Sequence, residues 1–206
     1  MENIKEQIDS IVTIYKSGDL KKAEFLCKEL LIKNSNIVFL YNLLGLIYVG
    51  QKKINLAQEY YEKGIKIDPY FAEIYNNLGL LFTHDKPDKD KAKKFFKKSI
   101  SLNKNIPEPY NNLGFLYKSS DKNDEALNCF KKSIEISPNF FHAYHNMGTI
   151  YVQVGKFDKA IKNFLKAIEI NPHYTKSHRE VSRLIKYTNQ EKHLGELNYL
   201  YSQIKS

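Results

Sequence analysis

The amino-acid sequence predicts an all-α repeat protein, a solenoid of stacked helix hairpins. Four glycines recur with a period of about 34 residues, at Gly45, Gly79, Gly114 and Gly148. Each lies in the pattern Tyr-x-x-Leu/Met-Gly-x-x-Tyr/Phe, and apolar residues repeat around it with the three-to-four-residue spacing of one buried helical face. A fixed period of this length is typical of arrays built from one repeated supersecondary unit.

Each repeat continues with a small residue, an aromatic residue and a proline. An alanine follows three of the glycines by twelve residues, an aromatic residue comes four later and a proline eight beyond that. The three sets are Ala57, Tyr61 and Pro69; Ala126, Phe130 and Pro138; and Ala160, Phe164 and Pro172. Each repeat is thus predicted to be two antiparallel helices that approach most closely at the glycine and the alanine. Tyr75, Tyr110 and Tyr144 are interpreted as core wedges between helices.

The one irregular interval, from Gly79 to Gly114, is a residue longer than the other two and indicates a longer turn. Ala92 follows Gly79 by thirteen residues, where the other repeats have twelve, and the regular spacing resumes at Ala92. The extra residue must lie in the polar, proline-containing stretch 84–90, which predicts a lengthened connection between two helices and leaves their packing intact.

This pattern of aromatic, Leu-Gly, aromatic, Ala, aromatic and Pro resembles the tetratricopeptide repeat. The resemblance implies a right-handed α-solenoid whose first helices line a concave groove and whose second helices form the convex face. We expect five repeats within residues 1–174, at about 4–37, 38–71, 72–106, 107–140 and 141–174.

The two ends of the array depart from the repeat pattern. In the first repeat, the turn position is occupied by Gly18 and the position of the small residue by Ala23. The position of the aromatic residue is occupied by Cys27, and that of the proline by Ser35. After Pro172 the pattern stops, yet residues 175–206 keep an amphipathic spacing, with apolar residues at Val181, Leu184, Ile185, Leu194, Leu197, Tyr201 and Ile204. We expect two capping helices there, because the terminal unit of a solenoid needs one polar outer face.

The composition excludes several protein classes. The chain has 206 residues, 42% of them apolar, and contains no apolar run long enough to span a membrane. Its start lacks the basic and apolar regions of a secretory signal, so we expect a cytoplasmic location. Cys27 and Cys129 lie in different repeats and are expected to be reduced packing residues.

The net charge of +9 allows a nucleic-acid hypothesis. Many lysines lie on second helices: Lys93, Lys94, Lys97, Lys98, Lys131, Lys132, Lys162 and Lys166. This places most of the charge on the convex face. A solvated face is the favoured interpretation, and binding of nucleic acid or an acidic partner there is an alternative.

The resemblance also implies which residues face a ligand, since tetratricopeptide arrays usually bind extended peptides along the concave face. We transfer the ligand-facing positions of the family to this chain by counting from each repeat glycine. The candidate peptide-binding residues are then Asn42, Asn76, Asn77, Asn111, Asn112, Lys118, His145, Asn146, Thr149 and Gln153.

Three of these asparagines form a regular series. Asn77, Asn112 and Asn146 each lie two residues before a repeat glycine, and they resemble the asparagine ladder in the repeat domain of the O-linked N-acetylglucosamine transferases. One carboxamide offers both a donor and an acceptor, which matches a peptide unit without reading its side chain. The series is interrupted by Leu43, and a solvated or helix-bonded asparagine with no ligand is the alternative.

Other kinds of site are disfavoured. Recognition of a chaperone C-terminus needs several concave cations, and Lys118 is the only one predicted. His142 and His145 share a helical face, but two imidazoles do not make a closed metal site. The sequence contains no phosphate-binding loop or nucleophile elbow, so we expect no enzyme activity, cofactor or metal.

The C-terminal tail adds one more resemblance. Residues 177–187, with His193, Leu194 and Leu197, are similar to the segment that closes the repeat region of bacterial tetratricopeptide-sulfotransferase proteins. That similarity implies the alternative of a substrate-recruiting region of a sulfotransferase or glycosyltransferase.

The favoured function is a noncatalytic scaffold or adaptor that binds a protein segment in its groove. Such an array allows self-association, nucleic acid is disfavoured as a partner, and no membrane insertion is expected.

Overall fold

The computed structural model of the protein describes residues 3–188 and Gly195. All regular secondary structure within residues 3–188 is helical, which confirms the all-α class. The helices are α1 Ile4–Lys16, α2 Leu20–Lys33, α3 Val38–Gly50, α4 Ile54–Ile67, α5 Ala72–His84, α6 Lys89–Leu102, α7 Pro107–Lys118, α8 Asn123–Ile136, α9 Phe141–Gln153, α10 Phe157–Ile170 and α11 Thr175–Thr188.

The chain forms two compact units, Met1–Lys104 and Asn105–Ser206, called here the N-terminal and C-terminal units. The N-terminal unit consists of the hairpins α1–α2, α3–α4 and α5–α6, in which each second helix packs on the first helix of the next hairpin. Within the described residues, the C-terminal unit contains the hairpins α7–α8 and α9–α10, followed by α11, which packs on α10. Four of the hairpins coincide with the predicted second to fifth repeats.

In each of these four hairpins the glycine of the first helix packs against an aromatic ring of the second. The rings belong to Tyr61, Phe96, Phe130 and Phe164, and all four side chains are fully buried. A Cβ atom at Gly114 would lie 2.7 Å from Phe130 Cε1, and one at Gly148 would lie 2.6 Å from Phe164 Cε1. The glycine is therefore required by sterics, since a real Cβ atom would displace the ring.

The first tyrosine of the repeat pattern ties its helix to the preceding connection. The Tyr75 hydroxyl donates to the backbone oxygen of Pro69 at 3.0 Å, and the Tyr41 hydroxyl donates to that of Ser35 at 2.8 Å. Tyr75 is 8% exposed, as expected for a core wedge, whereas Tyr110 and Tyr144 are only partly buried.

Helix α11 continues the register of the first helices beyond Pro172, where the repeat pattern was expected to stop. His178 lies one repeat period after Tyr144, and its Nε2 bonds the backbone oxygen of Pro172 at 2.8 Å, as the tyrosines bond theirs. Val181 and Leu184 are buried against α10. The predicted second capping helix, with Leu194, Leu197, Tyr201 and Ile204, lies outside the described residues.

The connections within hairpins are short and stereotyped. The backbone NH of Lys53 bonds the oxygen of Tyr48, five residues earlier, and Lys122 and Lys156 do the same with Tyr117 and Tyr151. The third hairpin has one more residue at this place: the backbone NH of Asp88 bonds the oxygen of Phe82, six residues earlier, at 2.8 Å. The lengthened turn predicted for residues 84–90 is confirmed.

A partly buried carboxylate joins the first hairpin to the second. Glu24 on α2 accepts hydrogen bonds from Lys28 at 2.6 Å, from the Tyr48 hydroxyl at 3.0 Å and from Gln51 Nε2 at 2.8 Å. Burial raises the pKa of Glu24, but these hydrogen bonds outweigh the burial and lower the pKa to about 2. The ionised form of Glu24 therefore stabilises the packing of α2 on α3.

We expect Gly114→Ala to lower the free energy of unfolding by about 1–3 kcal/mol, because the added methyl group overpacks the contact with Phe130. This loss should exceed the gain of up to about 1 kcal/mol from the better helix propensity of alanine. Urea denaturation measures the effect. In the double variant with Phe130→Leu, the loss of unfolding free energy should be smaller than the sum of the two single losses. A loss equal to that sum would contradict the steric explanation.

The stabilisation from Glu24 should depend on pH. Its folded-state pKa of about 2 lies below the ordinary value of 4.5, so the contribution is complete above about pH 4.5 and is lost as the pH falls toward 2. We expect the destabilisation caused by Glu24→Gln, measured by urea denaturation, to shrink over this range. The control is Glu59→Gln, which removes the ion pair of Glu59 with Lys63. The Glu59 side chain is 51% exposed, so this substitution should have little effect on stability at any pH.

Candidate functional site

The first helices present two pairs of hydrogen-bonded amides, one pair in each unit. In the N-terminal unit, Asn77 Nδ2 on α5 donates to Asn42 Oδ1 on α3 at 2.8 Å. In the C-terminal unit, Asn146 Nδ2 on α9 donates to Asn111 Oδ1 on α7 at 2.9 Å. In both pairs the residue two before one glycine bonds the residue three before the preceding glycine. We call the surface formed by these positions of α3 and α5, or of α7, α9 and α11, the first-helix face of its unit.

The two members of each pair differ in burial. The acceptors Asn42 and Asn111 are 6% and 9% exposed, whereas the donors Asn77 and Asn146 are partly exposed. The bond uses one of the two N–H groups of each donor amide. The Oδ1 atom and the second N–H of Asn77 and Asn146 have no side-chain or backbone partner in the part of the chain that the structure describes. Each donor amide is thus held in place by one bond and keeps a donor and an acceptor for a ligand.

The other two predicted asparagines also lie on first helices. Asn76 is 8% exposed, and Asn112 is partly exposed and accepts a hydrogen bond from Asn111 Nδ2 at 3.4 Å. Of the predicted amides, those two before the glycine are accessible to a ligand, and those three before it are largely covered. This distinction depends on the angle at which neighbouring hairpins pack, which the linear spacing does not contain.

A lysine and a threonine form the next contact on the first-helix face of the C-terminal unit. Lys118 Nζ, at the end of α7, donates to Thr149 Oγ1 on α9 at 3.0 Å. Thr149 Oγ1 in turn donates to the backbone oxygen of Asn146 at 2.7 Å. Lys118 is partly buried, and burial lowers its pKa. Gln153, the last predicted site residue, is exposed at the end of α9.

The two histidines of α9 lie in an aromatic environment. His145 Nδ1 is 3.0 Å from Ser177 Oγ on α11, and its ring centroid is 5.1 Å from that of Tyr174. The ring of His142 is 3.9 Å from that of Phe141. Burial, together with the charges of Lys118 and Lys176, lowers the pKa of His145 to about 4, so this imidazole is neutral at pH 7. No group of three or more metal-ligating side chains occurs within the described residues.

Helix α11 also contributes to this surface, although none of the predicted site residues lies on it. Lys176 and Arg179 lie one repeat period after His142 and His145 and therefore occupy equivalent positions on the next first helix. Both side chains are exposed, and their charges act on His145. The signal was present in the sequence as the unbroken repeat interval from Tyr144 to His178, although a histidine replaces the tyrosine.

The lysines of the second helices are mostly solvated. Lys94, Lys97, Lys98, Lys131, Lys132 and Lys162 are exposed. Lys132 and Lys166 form ion pairs with acids three residues later, at 2.7 and 2.6 Å. No helix in the described part of the chain has both the length and the apolar character needed to cross a bilayer.

The chain is similar to several solved structures. MamA shares 29% identity with a TM-score of 0.63, and the match covers 85% of this chain and 99% of MamA. PilF of Pseudomonas aeruginosa shares 17% identity with a TM-score of 0.79, covering 98% and 90% of the two chains. YrrB, described as a TPR protein with an unusual peptide-binding site, shares 21% identity with a TM-score of 0.59, covering 86% and 91%. At their low identity, PilF and YrrB show the fold alone.

A curated relative matches a shorter stretch. The uncharacterized protein ycf37 of Pyropia yezoensis is 35% identical over 68 residues, which is 32% of this chain and 38% of the relative. The matched part of the chain thus spans well under half the length of this relative.

Family models recognise four of the repeats. Two models, both described as tetratricopeptide repeat, match residues 40–71 and 72–106 and residues 107–140 and 142–174. The matches coincide with the four hairpins in which glycine packs against a buried aromatic ring, and together they cover more than half of the chain. The protein belongs to the tetratricopeptide repeat family.

Proposed function

We propose that the protein is a noncatalytic scaffold that binds an extended peptide segment of a protein partner on its first-helix faces. The observation that carries this proposal is the pair of oriented amides, Asn77 on Asn42 and Asn146 on Asn111. The tetratricopeptide family supports a role in protein interaction, and YrrB is an example of a peptide-binding member by its description.

The amide pairs fit a peptide backbone for a physical reason. A peptide unit presents one N–H donor and one C=O acceptor, and each donor amide retains one group of each kind. Because the bond to the neighbouring asparagine already fixes the side-chain rotamer, less conformational entropy is lost on binding. Such amides bind the backbone and leave the choice of side chains to the residues around them.

The neighbouring positions of the N-terminal unit offer apolar contact for those side chains. Phe39, Leu46 and Val49 of α3 and Leu80 of α5 are partly buried and leave some apolar surface exposed. This surface is the part of the proposed site that would select between peptides. We propose the same mode of backbone binding that is implied by the resemblance of Asn77, Asn112 and Asn146 to the asparagine ladder of the O-linked N-acetylglucosamine transferases.

Site-specific photo-crosslinking in cells tests which face carries the partner. A photoreactive amino acid at Leu80, on the first-helix face of α5, should give crosslinks to a discrete partner protein. The same amino acid at Lys97, exposed on α6 in the same unit, serves as the control. A partner crosslinked from position 97 and not from position 80 would place binding on the second helices and refute the proposal.

The double variant Asn77→Ala and Asn146→Ala should weaken binding of the crosslinked partner by about fivefold or more. Two amide contacts, each contributing about 0.5–1.5 kcal/mol, account for that loss. Fluorescence anisotropy with the partner segment measures the Kd. Asn163→Ala is the matched control, because Asn163 Nδ2 bonds the Lys159 backbone oxygen on α10, away from the first-helix face. If the double variant and the control bind equally well, the amides do not hold the peptide.

A further inference from the structure

Lys118 is a partly buried ammonium group that lacks an acidic partner. Its Nζ donates to Thr149 Oγ1, and no carboxylate in the described residues forms an ion pair with it. Thr149 is itself committed, since its hydroxyl proton bonds the Asn146 backbone oxygen. An ammonium group has three N–H donors, so two of them on Lys118 remain without a protein acceptor in the described part of the chain.

This arrangement differs from that of other lysines in the chain. Lys28 pairs with Glu24, Lys132 with Glu135 and Lys166 with Glu169, and the side chains of these three lysines are 44%, 54% and 42% exposed. Lys118 is partly removed from water and has no such compensation. Burying an unpaired charge is unfavourable, and the cost is relieved when a counter-charge binds.

The surroundings of Lys118 are also positively charged. Lys118, Lys176 and Arg179 all act on the imidazole of His145 as positive charges. Glu180, the acidic residue of α11, is already paired with Arg183 at 2.7 Å. The first-helix face of the C-terminal unit therefore has cations from α7 and α11 on either side of α9, with their counter-charge missing among the described residues.

The contacts of Lys118 favour a small anionic group on a peptide. The ring of Phe115, which is 38% exposed, lies 5.3 Å from Lys118 Nζ and offers apolar surface beside the charge. The partly exposed amide of Asn146 lies on the same face and can bond the backbone next to that group. A carboxylate on a short side chain meets both requirements at once.

We propose that Lys118 binds the carboxylate of an aspartate or glutamate side chain in the bound peptide, so that the C-terminal unit selects acidic segments. This rests on the proposed function, because it assumes that the peptide lies on the first-helix face. The carboxylate accepts the two remaining N–H groups of Lys118, while Lys176 and Arg179 attract neighbouring acidic residues over a longer range.

A pair of synthetic probes tests the proposal. The first is a fluorescent, C-terminally amidated peptide of glycine and serine with central glutamates, and the second carries glutamines in their place. We expect the full chain to bind the glutamate probe about tenfold more tightly than the glutamine probe in fluorescence anisotropy. Lys118→Met should abolish most of this preference. Lys162→Met, which removes an exposed lysine of α10, should preserve it.

Each outcome decides for or against the proposal. Equal binding of the two probes to the wild-type protein, or an equal loss of preference in both lysine variants, would overturn it. Tighter binding of a phosphoserine probe than of the glutamate probe would overturn the assignment to a carboxylate. If Lys118→Met does not fold, acetylation of the wild-type protein replaces it: the glutamate probe should slow the reaction of Lys118 and leave that of Lys162 unchanged.

Failure of this proposal is distinguishable from failure of the proposed function. Crosslinks from position 80 depend on the N-terminal unit and persist if Lys118 has no role. Loss of those crosslinks, with the probe preference intact, would refute the scaffold proposal and leave an anion site at Lys118.

Discussion

The contact between a glycine and a buried aromatic ring determines how closely the two helices of each hairpin approach. With no Cβ atom on the first helix, the ring of Tyr61, Phe96, Phe130 or Phe164 fills the space against the helix backbone. The other contacts of the repeat depend on this separation, including the buried alanines and the tyrosine bonds to the preceding connection. Because one side of the first helix is used for this packing, its opposite side is left for other contacts.

That remaining side carries the candidate site, and its chemistry differs between the two units. In the N-terminal unit the amide pair lies among apolar residues such as Leu46 and Val49. In the C-terminal unit the corresponding pair lies beside Lys118 and His145. Helix α11 adds Lys176 and Arg179 to the same face. The same amide pair is thus repeated with two different surroundings, as expected when a repeat keeps its packing and varies its exposed positions.

The first hairpin shows that the packing rule can be satisfied with other residues. By register, Ile11 takes the place of the glycine and Cys27 that of the aromatic ring, and both are buried. A larger residue on α1 is thus accompanied by a smaller one on α2, which conserves the volume between the helices. Burial raises the pKa of the Cys27 thiol to about 12, so it is protonated at neutral pH, as a packing role requires. The interpretation of this hairpin as a repeat remains a prediction.

The sequence by itself determined the helical class, four of the hairpins and the lengthened turn, because the regular repeat period and the small side chains at close contacts are local signals. It also located the asparagines on the first helices. Only the tertiary structure decided that Asn42 and Asn111 are covered while Asn77 and Asn146 are accessible, and that Lys118 lacks an acidic partner among the described residues. These facts depend on how neighbouring hairpins pack, and contacts between residues a full repeat apart leave no mark in the spacing alone.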